Sequence, residues 1–302
     1  MPVKTGRADG NAAVHVDYKR CTACGLCARV CKEGPLFIKG GKLAVDYARG
    51  LGCVPCGHCA AVCPEGAITV EGRDMTAVDM VPLPGDAARA NYDQLNALLL
   101  ARRSVREFEA REVDGETIDK ILAAAATAPM GIPPSDVEVL VFRGRGKLGE
   151  FKRDMLKALE PMRWMFSRPM LWLWRPFVGK EACDMFRTFL VPVATAYIEK
   201  DKEGVDLFTY DAPLGMLFYG GATTDPADPI IAATYAMIAA ESLGLGTCML
   251  GFPAPLVKRN KKLMKKYGIA PKSQIGIMVI FGYPAVKFQR AIRRRFARVR
   301  DW

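Results

Sequence analysis

The sequence predicts an α+β protein in two parts: a small cysteine-rich unit, then a larger domain of mixed helices and strands. Three observations carry this reading. Eight of the ten cysteines fall between Cys21 and Cys63. Beyond Asn91 the composition changes, and only Cys183 and Cys248 remain. In that second region helical periodicities outnumber strand patterns and do not alternate strictly with them, which argues against a doubly wound parallel sheet. A chain of 302 residues, 50% apolar and 25% charged, can bury the cores of two domains without disulfides.

Taken in order, residues 1–19 form a polar lead-in with no apolar signal segment, so the cytoplasm is the expected compartment. The expected divisions are 1–80 for the cysteine-rich unit, 81–90 ("VPLPGDAARA") for a linker, and 91–302 for the second domain. There "YDQLNALLLARR" reads as a helix, and "VDGETIDKILAAAATAP" as another, with Asp114 as N-cap, a Val113/Ile118 staple and Pro129 as its stop. "DVEVLVF" (136–142) alternates like a strand, and "GEFKRDMLKALE" returns to helix. Helices over 181–200 and 227–243 follow, then a turn and short strand, and a strong strand over 275–282. The tail from 287 to 300 is basic.

Several function classes lose ground at this level. The apolar stretch 229–257 carries a single charge, Glu241, but Gly244, Gly246, Gly251, Pro253 and Pro255 break its second half, so no transmembrane span is expected. The net charge of +11 treats every cysteine as neutral. Eight thiolates around two iron–sulfur clusters would lower it to roughly +7, and nucleic acid is not the expected partner. "GRGKLG" (144–149) fits a dinucleotide fingerprint after a strand, yet 161–180 lacks the acidic residue that the ribose requires. His15 and His58 are not placed in any catalytic pattern, and no Ser/His/Asp set or paired carboxylate stands out.

The cysteines carry the strongest signal. "CTACGLCARVC" (21–31) recurs as "CVPCGHCAAVC" (53–63), so Cys-x-x-Cys-x-x-Cys-x-x-x-Cys occurs twice. In two-cluster proteins three closely spaced thiolates wrap one 4Fe–4S cluster, and the fourth cysteine of each run ligates the other. That rule assigns Cys21, Cys24, Cys27 and Cys63 to one cluster, and Cys53, Cys56, Cys59 and Cys31 to the second. Structural zinc is the alternative, but it usually takes four ligands from two-cysteine knuckles. Gly25, Gly57, Ala23, Ala28 and Ala60 let backbone amides crowd the sulfurs. This region resembles the bacterial two-cluster ferredoxins, although the first run ends in Cys31-Lys32 where the pattern has Cys-Pro, as at Cys63-Pro64.

In the second region "RRSVREF", the capped helix ending in "AP", "GLGTCMLGF" and "GYPA" with trailing arginines together resemble the nitroreductase family of FMN enzymes. The resemblance implies an α+β fold, with a mainly antiparallel sheet flanked by helices, and an intertwined homodimer with FMN at the interface. It further implies that Arg102, Arg103, Ser104 and Arg106 grip the FMN phosphate and ribityl chain, a task suited to arginine forks and a hydroxyl. By the same likeness Pro129, Met130 and Gly131 touch the flavin, although the family's side-chain donors there are replaced by Met130 and Pro133, with Ser135 a weak substitute. Gly244, Leu245, Gly246 and Thr247 correspond to the glycine-rich turn beside the ring, and Arg290 and Arg294 are further phosphate candidates. Cys248 reads as a small buried residue.

No catalytic side chain is expected, because a cofactor would carry the hard chemistry. The implied activity is an FMN-dependent reductase in which two 4Fe–4S clusters relay electrons from an external donor, a ferredoxin being one candidate. Its acceptor would be small, flat and electron-poor: a nitroaromatic, quinone, enone or halogenated aromatic. An electron-transfer module serving a protein partner is the alternative. The aromatic stretch 161–177, with Trp164, Phe166, Trp172, Trp174 and Phe177, reads equally as a lid over the substrate, a dimer interface or ordinary core.

Overall fold

The computed structural model describes residues 12–32, 34–72, 76–131, 136–165 and 168–302, with the backbone alone at 162, 163, 165, 168 and 178. It divides into two compact units, Met1–Arg89 with Met130–Asp136, and Ala90–Pro129 with Val137–Trp302. Among the described residues no helix is long and apolar enough to cross a membrane.

The first unit contains β1 (Ala13–Val16), α1 (Leu26–Val30), β2 (Leu36–Lys39), β3 (Lys42–Val45), α2 (His58–Ala61) and β4 (Ile68–Glu71). β1 pairs antiparallel with β4, and β2 with β3. Gly25 and Gly57 stand at equivalent places in the repeat, each in the left-handed region (φ 77° and 75°) as the N-cap of its short helix. A residue with a Cβ would strain that entry. The core is small: Val14, Leu36, Leu43, Ile68 and Val70 pack with Cys27 and Cys59.

The second unit contains α3 (Tyr92–Ala101), α4 (Gly115–Ala126), β5 (Val137–Arg143), α5 (Gly144–Met165), α6 (Arg168–Val178), α7 (Lys180–Met185), α8 (Val191–Lys202), β6 (Leu214–Gly220), α9 (Asp228–Ser242), β7 (Gly246–Leu250), α10 (Pro253–Arg259), α11 (Lys261–Lys266) and β8 (Gln274–Gly282). A π-helical turn, Phe186–Leu190, joins α7 to α8. The sheet order is β5-β6-β8-β7, and every neighbouring pair is antiparallel. The period-2 alternation of strands sorts its side chains. Leu214, Met216, Phe218, Val279 and Phe281 face α4 and α9. Leu217, Tyr219, Met278 and Ile280 face α5, α8, α10 and α11.

Most expected elements appear. Asp114 Oδ1 accepts from the Thr117 amide at 2.8 Å, the N-cap expected for α4. β6, which no sequence pattern marks, is one of the two inner strands: all seven of its residues are buried, so it shows no alternation to read. "GRGKLG" lies inside α5, with only Gly144 at positive φ, so it forms helix where a dinucleotide loop would need a turn.

Candidate functional site

The thiols of the first unit fall into two groups. Cys21, Cys24, Cys27 and Cys63 line one pocket with Gly25, Leu43, Pro64 and Ile68. Burial, reinforced by Cys31 and Cys56, pushes the Cys53 thiol up to about 11. Burial, then Cys31, Cys56 and Cys53, takes Cys59 to about 12. Cys31 thus lies with the thiols of the second run and Cys63 with those of the first.

Backbone amides reach the sulfurs. The Ala67 amide donates to Cys63 Sγ at 3.3 Å, and the amides of Leu36 and Gly34 bond Cys31, offsetting part of its burial. A Cβ at Gly34 would lie 2.2 Å from Cys31 Sγ, so only glycine fits beside that thiol. Thiols held this close in a dry site resist ionising together unless a cationic metal core draws them down, so the donor set suits iron–sulfur chemistry. Among the described residues no three His, Cys, Asp or Glu side chains converge as ligands of a single ion would.

In the second unit the arginine segment is built onto β7. α3 ends at Ala101, Arg102 turns extended (ψ 129°), and Ser104 bridges Thr247 in parallel. The Val105 amide donates to Thr247 O at 2.9 Å. A Cβ on Gly246 would lie 2.5 Å from Val105 Cγ2, so glycine there lets the segment lie against β7. Three residues of the glycine-rich turn also have local roles in the fold. Gly246 accommodates Val105. Gly244, at φ 80°, closes α9 in the left-handed region that glycine tolerates. Leu245 is only 1% exposed, packed among α4, α9 and the sheet.

Two buried polar atoms at this junction lack a partner among the described residues: Arg103 Nη2 and Thr247 Oγ1. Orphans of this kind are costly unless a ligand satisfies them. Glu241, from α9, faces Arg102 and Arg103; burial raises its carboxyl above the usual value, and the two guanidiniums pull it only part of the way back. The arginines are therefore incompletely neutralised from within, and an anionic group fits them.

Arg106 faces a different wall. Its guanidinium lies 5.6 Å from the Tyr210 ring, in a pocket lined by Tyr197, Tyr210, Cys248, Gly251, Phe252 and neighbours. Burial raises both tyrosines while Arg106 opposes it, so each keeps its phenolic proton as a donor near neutrality. Tyr210 and Asp211 adopt positive φ (54° and 48°), a strained conformation for residues with side chains. Asp206 holds this corner, accepting from Phe208 N and Thr209 N at 2.8 Å, Thr209 Oγ1 at 2.6 Å and Asp211 N at 3.2 Å. Sequence reasoning missed Tyr197, Tyr210, Gly251 and Phe252. No pattern links 197, 210 and 251; "GFP" after the glycine-rich turn was the one available signal.

A second, larger pocket of about 710 Å³ shares Tyr197, Gly251 and Phe252 with the first. Its walls are Leu159, Phe186, Phe189, Leu190, Val193, Pro255 and Leu256, with Arg259 and Asn260 at one end. Of the aromatic stretch 161–177, read equally as lid, interface or core, only Pro161 among the described residues lines this pocket. Trp172 and Phe177 are 76% and 86% exposed, Trp164 is also exposed, and Trp174 packs on Leu171, Cys183, Phe186 and Val191. Phe166 lies outside the described residues, as do Pro133 and Ser135.

Other expected contacts are not assembled here. Arg290 and Arg294 lie in an exposed tail that follows the last strand-like contact, Ala285 N to Glu107 O. Pro129 is exposed just past α4, while Met130 and Gly131 group with the first unit.

A nitroreductase family profile matches residues 99–283, more than half of the chain. The chain belongs to the nitroreductase family. The family places the second unit among oxidoreductases, and a 4Fe–4S binding domain matches residues 14–37, which hold the first cysteine run. An FMN-bound nitroreductase from Bacteroides fragilis is 16% identical, covering 70% of this chain and 100% of its own, with a TM-score of 0.51. An FMN-bound nitroreductase from Desulfitobacterium hafniense is 19% identical over 68% of this chain and 98% of its own, TM-score 0.48. An FMN-dependent nitroreductase from Clostridium difficile is 17% identical over 70% and 100%, TM-score 0.48. At these identities the first likeness speaks for the fold of this nitroreductase-family chain. No curated protein matches its sequence.

Proposed function

We propose that the chain is an FMN-dependent reductase fed through two 4Fe–4S clusters, acting as a homodimer in the cytoplasm on a small, flat, electron-poor acceptor. The observation that carries this is the junction of the arginine segment with β7, where Arg103 Nη2 and Thr247 Oγ1 are buried without partners beside a guanidinium-bearing pocket. When bound, FMN would supply hydride and single-electron chemistry, and the clusters single-electron transfer.

The chain's own residues do the rest. Arg102, Arg103 and Ser104 offer donors to a phosphate, with Glu241 behind the arginines to orient them. Arg106 places a fixed positive charge where negative charge on a bound ring would be stabilised. The phenols of Tyr197 and Tyr210, kept protonated by burial, donate hydrogen bonds into the same space. Phe186, Phe189, Leu190 and Leu256 give a flat apolar acceptor its surface in the adjoining pocket. In the first unit Cys21, Cys24, Cys27 and Cys63 would hold one cluster, and Cys53, Cys56, Cys59 and Cys31 the other.

An anaerobic visible spectrum with iron and flavin quantitation tests the reading. Roughly eight irons and one FMN per chain are expected, and four irons would reduce it to one cluster. One observation favours the alternative of a protein acceptor: the exposed apolar side chains of Trp172, Leu173 and Phe177 on α6. Anaerobic turnover with reduced ferredoxin separates the two. Flavin that is reduced but not reoxidised by nitroaromatics, quinones or enones would favour the protein acceptor.

A further inference from the structure

We propose that the larger pocket of the second unit binds an amphipathic organic anion: an apolar, flat body along the pocket, and a carboxylate or similar group held by Arg259. The pocket's volume of about 710 Å³ lies in the range of sites for drug-sized ligands, more than one aromatic ring fills. Two of its lining residues lie at opposite ends of α10: Phe252, shared with the Arg106 pocket, precedes the first residue of that helix, and Arg259 is its last. At the helical rise their backbones stand roughly 10 Å apart. A ligand whose reactive ring lies at the Phe252 end would present a group at that distance to Arg259.

The chemistry at the far end is selective. Arg259, exposed in the free chain, is the one charged side chain among the described residues lining the pocket, and no carboxylate among the described residues pairs with it. Its neighbour Asn260 uses Oδ1 to cap α11, accepting from Lys262 N at 3.1 Å and Leu263 N at 3.2 Å. That cap leaves the Asn260 NH₂ as a second donor among the lining residues. Two donors at the end of an apolar trough suit a planar anion, which can accept both of Arg259's parallel N–H groups. The walls between, Leu190, Val193, Pro255 and Leu256, supply contact but no hydrogen bond. A neutral acceptor gains only the walls; an anionic one gains the walls and the fork.

The word "reactive" rests on the reductase reading, but the binding does not, and the test keeps the two apart. Calorimetry with the full, cofactor-loaded chain compares biphenyl-4-carboxylate with 4-(hydroxymethyl)biphenyl, neither of which is reducible at the flavin. The carboxylate is expected to bind about tenfold more tightly, a gain that Arg259→Gln removes and Arg259→Lys, which keeps the charge but not the fork, restores only in part. Val193→Trp, which fills the trough, weakens both ligands. Equal binding of acid and alcohol by the native chain, no binding of either, or an acid affinity untouched by Arg259→Gln overturns the proposal. A second arm uses 4′-nitrobiphenyl-4-carboxylate and its methyl ester as acceptors. There Arg259→Gln raises the half-saturating concentration for the acid more than for the ester. If calorimetry succeeds and neither nitro compound reoxidises the reduced chain, the reductase reading fails while the anion site stands.

Discussion

The first unit buries Val14, Leu36, Leu43, Ile68 and Val70 with the side chains of Cys27 and Cys59, whereas the second buries apolar layers on both faces of β6 and β8. The first thus has two of its candidate ligand thiols inside its core; the second keeps its candidate site at the core's edge, where the arginine segment meets β7. Small domains cannot bury enough apolar surface to fold by that means alone, and metal binding then becomes folding free energy. The second unit, with apolar layers on both faces of its sheet, should keep its fold when its cofactor is lost. The same chain should therefore respond to cofactor loss in two opposite ways.

The largest expected effect breaks that comparison or establishes it. Anaerobic removal of iron with a chelator should unfold the first unit and leave the second folded. Hydrogen exchange is the measurement: amides of β1–β4 should lose protection completely, while those of β6 and β8 keep theirs. Protection of β1–β4 in the iron-free chain would show that its small core suffices.

Next in size is the contact that seats the arginines. In Gly246→Ala the new Cβ would meet Val105 Cγ2, Cβ and Cγ1 at 2.5, 2.7 and 2.9 Å. The segment must move off β7, at a cost of about 1–3 kcal/mol in stability. FMN retention should fall with it, with iron content unchanged, since the two units hold different cofactors. Val105→Ala in the same chain removes the two methyl contacts but not the Cβ contact, so flavin binding should return only in part. Full flavin occupancy in Gly246→Ala would detach the arginine segment from the cofactor.

How much of this was legible in the sequence divides along the same line. Iron–sulfur ligands sit at fixed spacings in one short stretch, so the 4Fe–4S domain that matches residues 14–37 could be read from the first cysteine run. The arginine segment is equally local, and its motif helped to mark the family. The pocket around Arg106 was not, because Tyr197, Tyr210 and Gly251 come together only when β6, β7 and β8 close the sheet. β6 itself was invisible, since "LGMLFYG" is buried on both faces and carries no period. The aromatic stretch 161–177 read equally as lid, interface or core, and composition could not choose; among the described residues the larger pocket takes only Pro161 from it, with Phe186 and Phe189 supplied by the less conspicuous π-helical turn.

Arg103 gives a smaller effect that sharpens the view of the second unit. Replacing it with Ala removes an unpartnered buried donor but leaves Glu241 with one guanidinium fewer. The flavin-free chain should therefore change little in thermal stability, while FMN affinity falls by about 2–3 kcal/mol, the worth of a hydrogen bond to a charged group. Flavin fluorescence titration of wild type and Arg103→Ala measures this. Equal affinities would mean that Arg103 serves only the fold.

The smallest effect concerns acid. Asp206 is half-buried, and burial alone would raise its carboxyl, but the Thr209 hydroxyl and amide, Lys152 and the Asp211 amide together hold it below the usual aspartate value of 3.8. A depressed carboxyl contributes stability that is fully present above its unfolded value and lost as pH falls through the folded one. The second unit should thus begin to weaken below about pH 4, and Asp206→Asn should make that decline shallower. Asp154 is also depressed: burial raises it, but Lys266 and Tyr267 outweigh that, so some acid sensitivity must survive the substitution. At neutral pH the variant loses the charge facing Lys152, whose Nζ lies 3.5 Å from Asp206 and 2.7 Å from Asp201. A fall of about 2–4 °C in the melting temperature, or roughly 1 kcal/mol, is expected there. Because Asp206 also holds the Tyr210 corner, the acceptor's half-saturating concentration should rise in the same variant at neutral pH. An unchanged acid profile would mean that Lys152 and Thr209 do not hold this carboxylate in the folded chain.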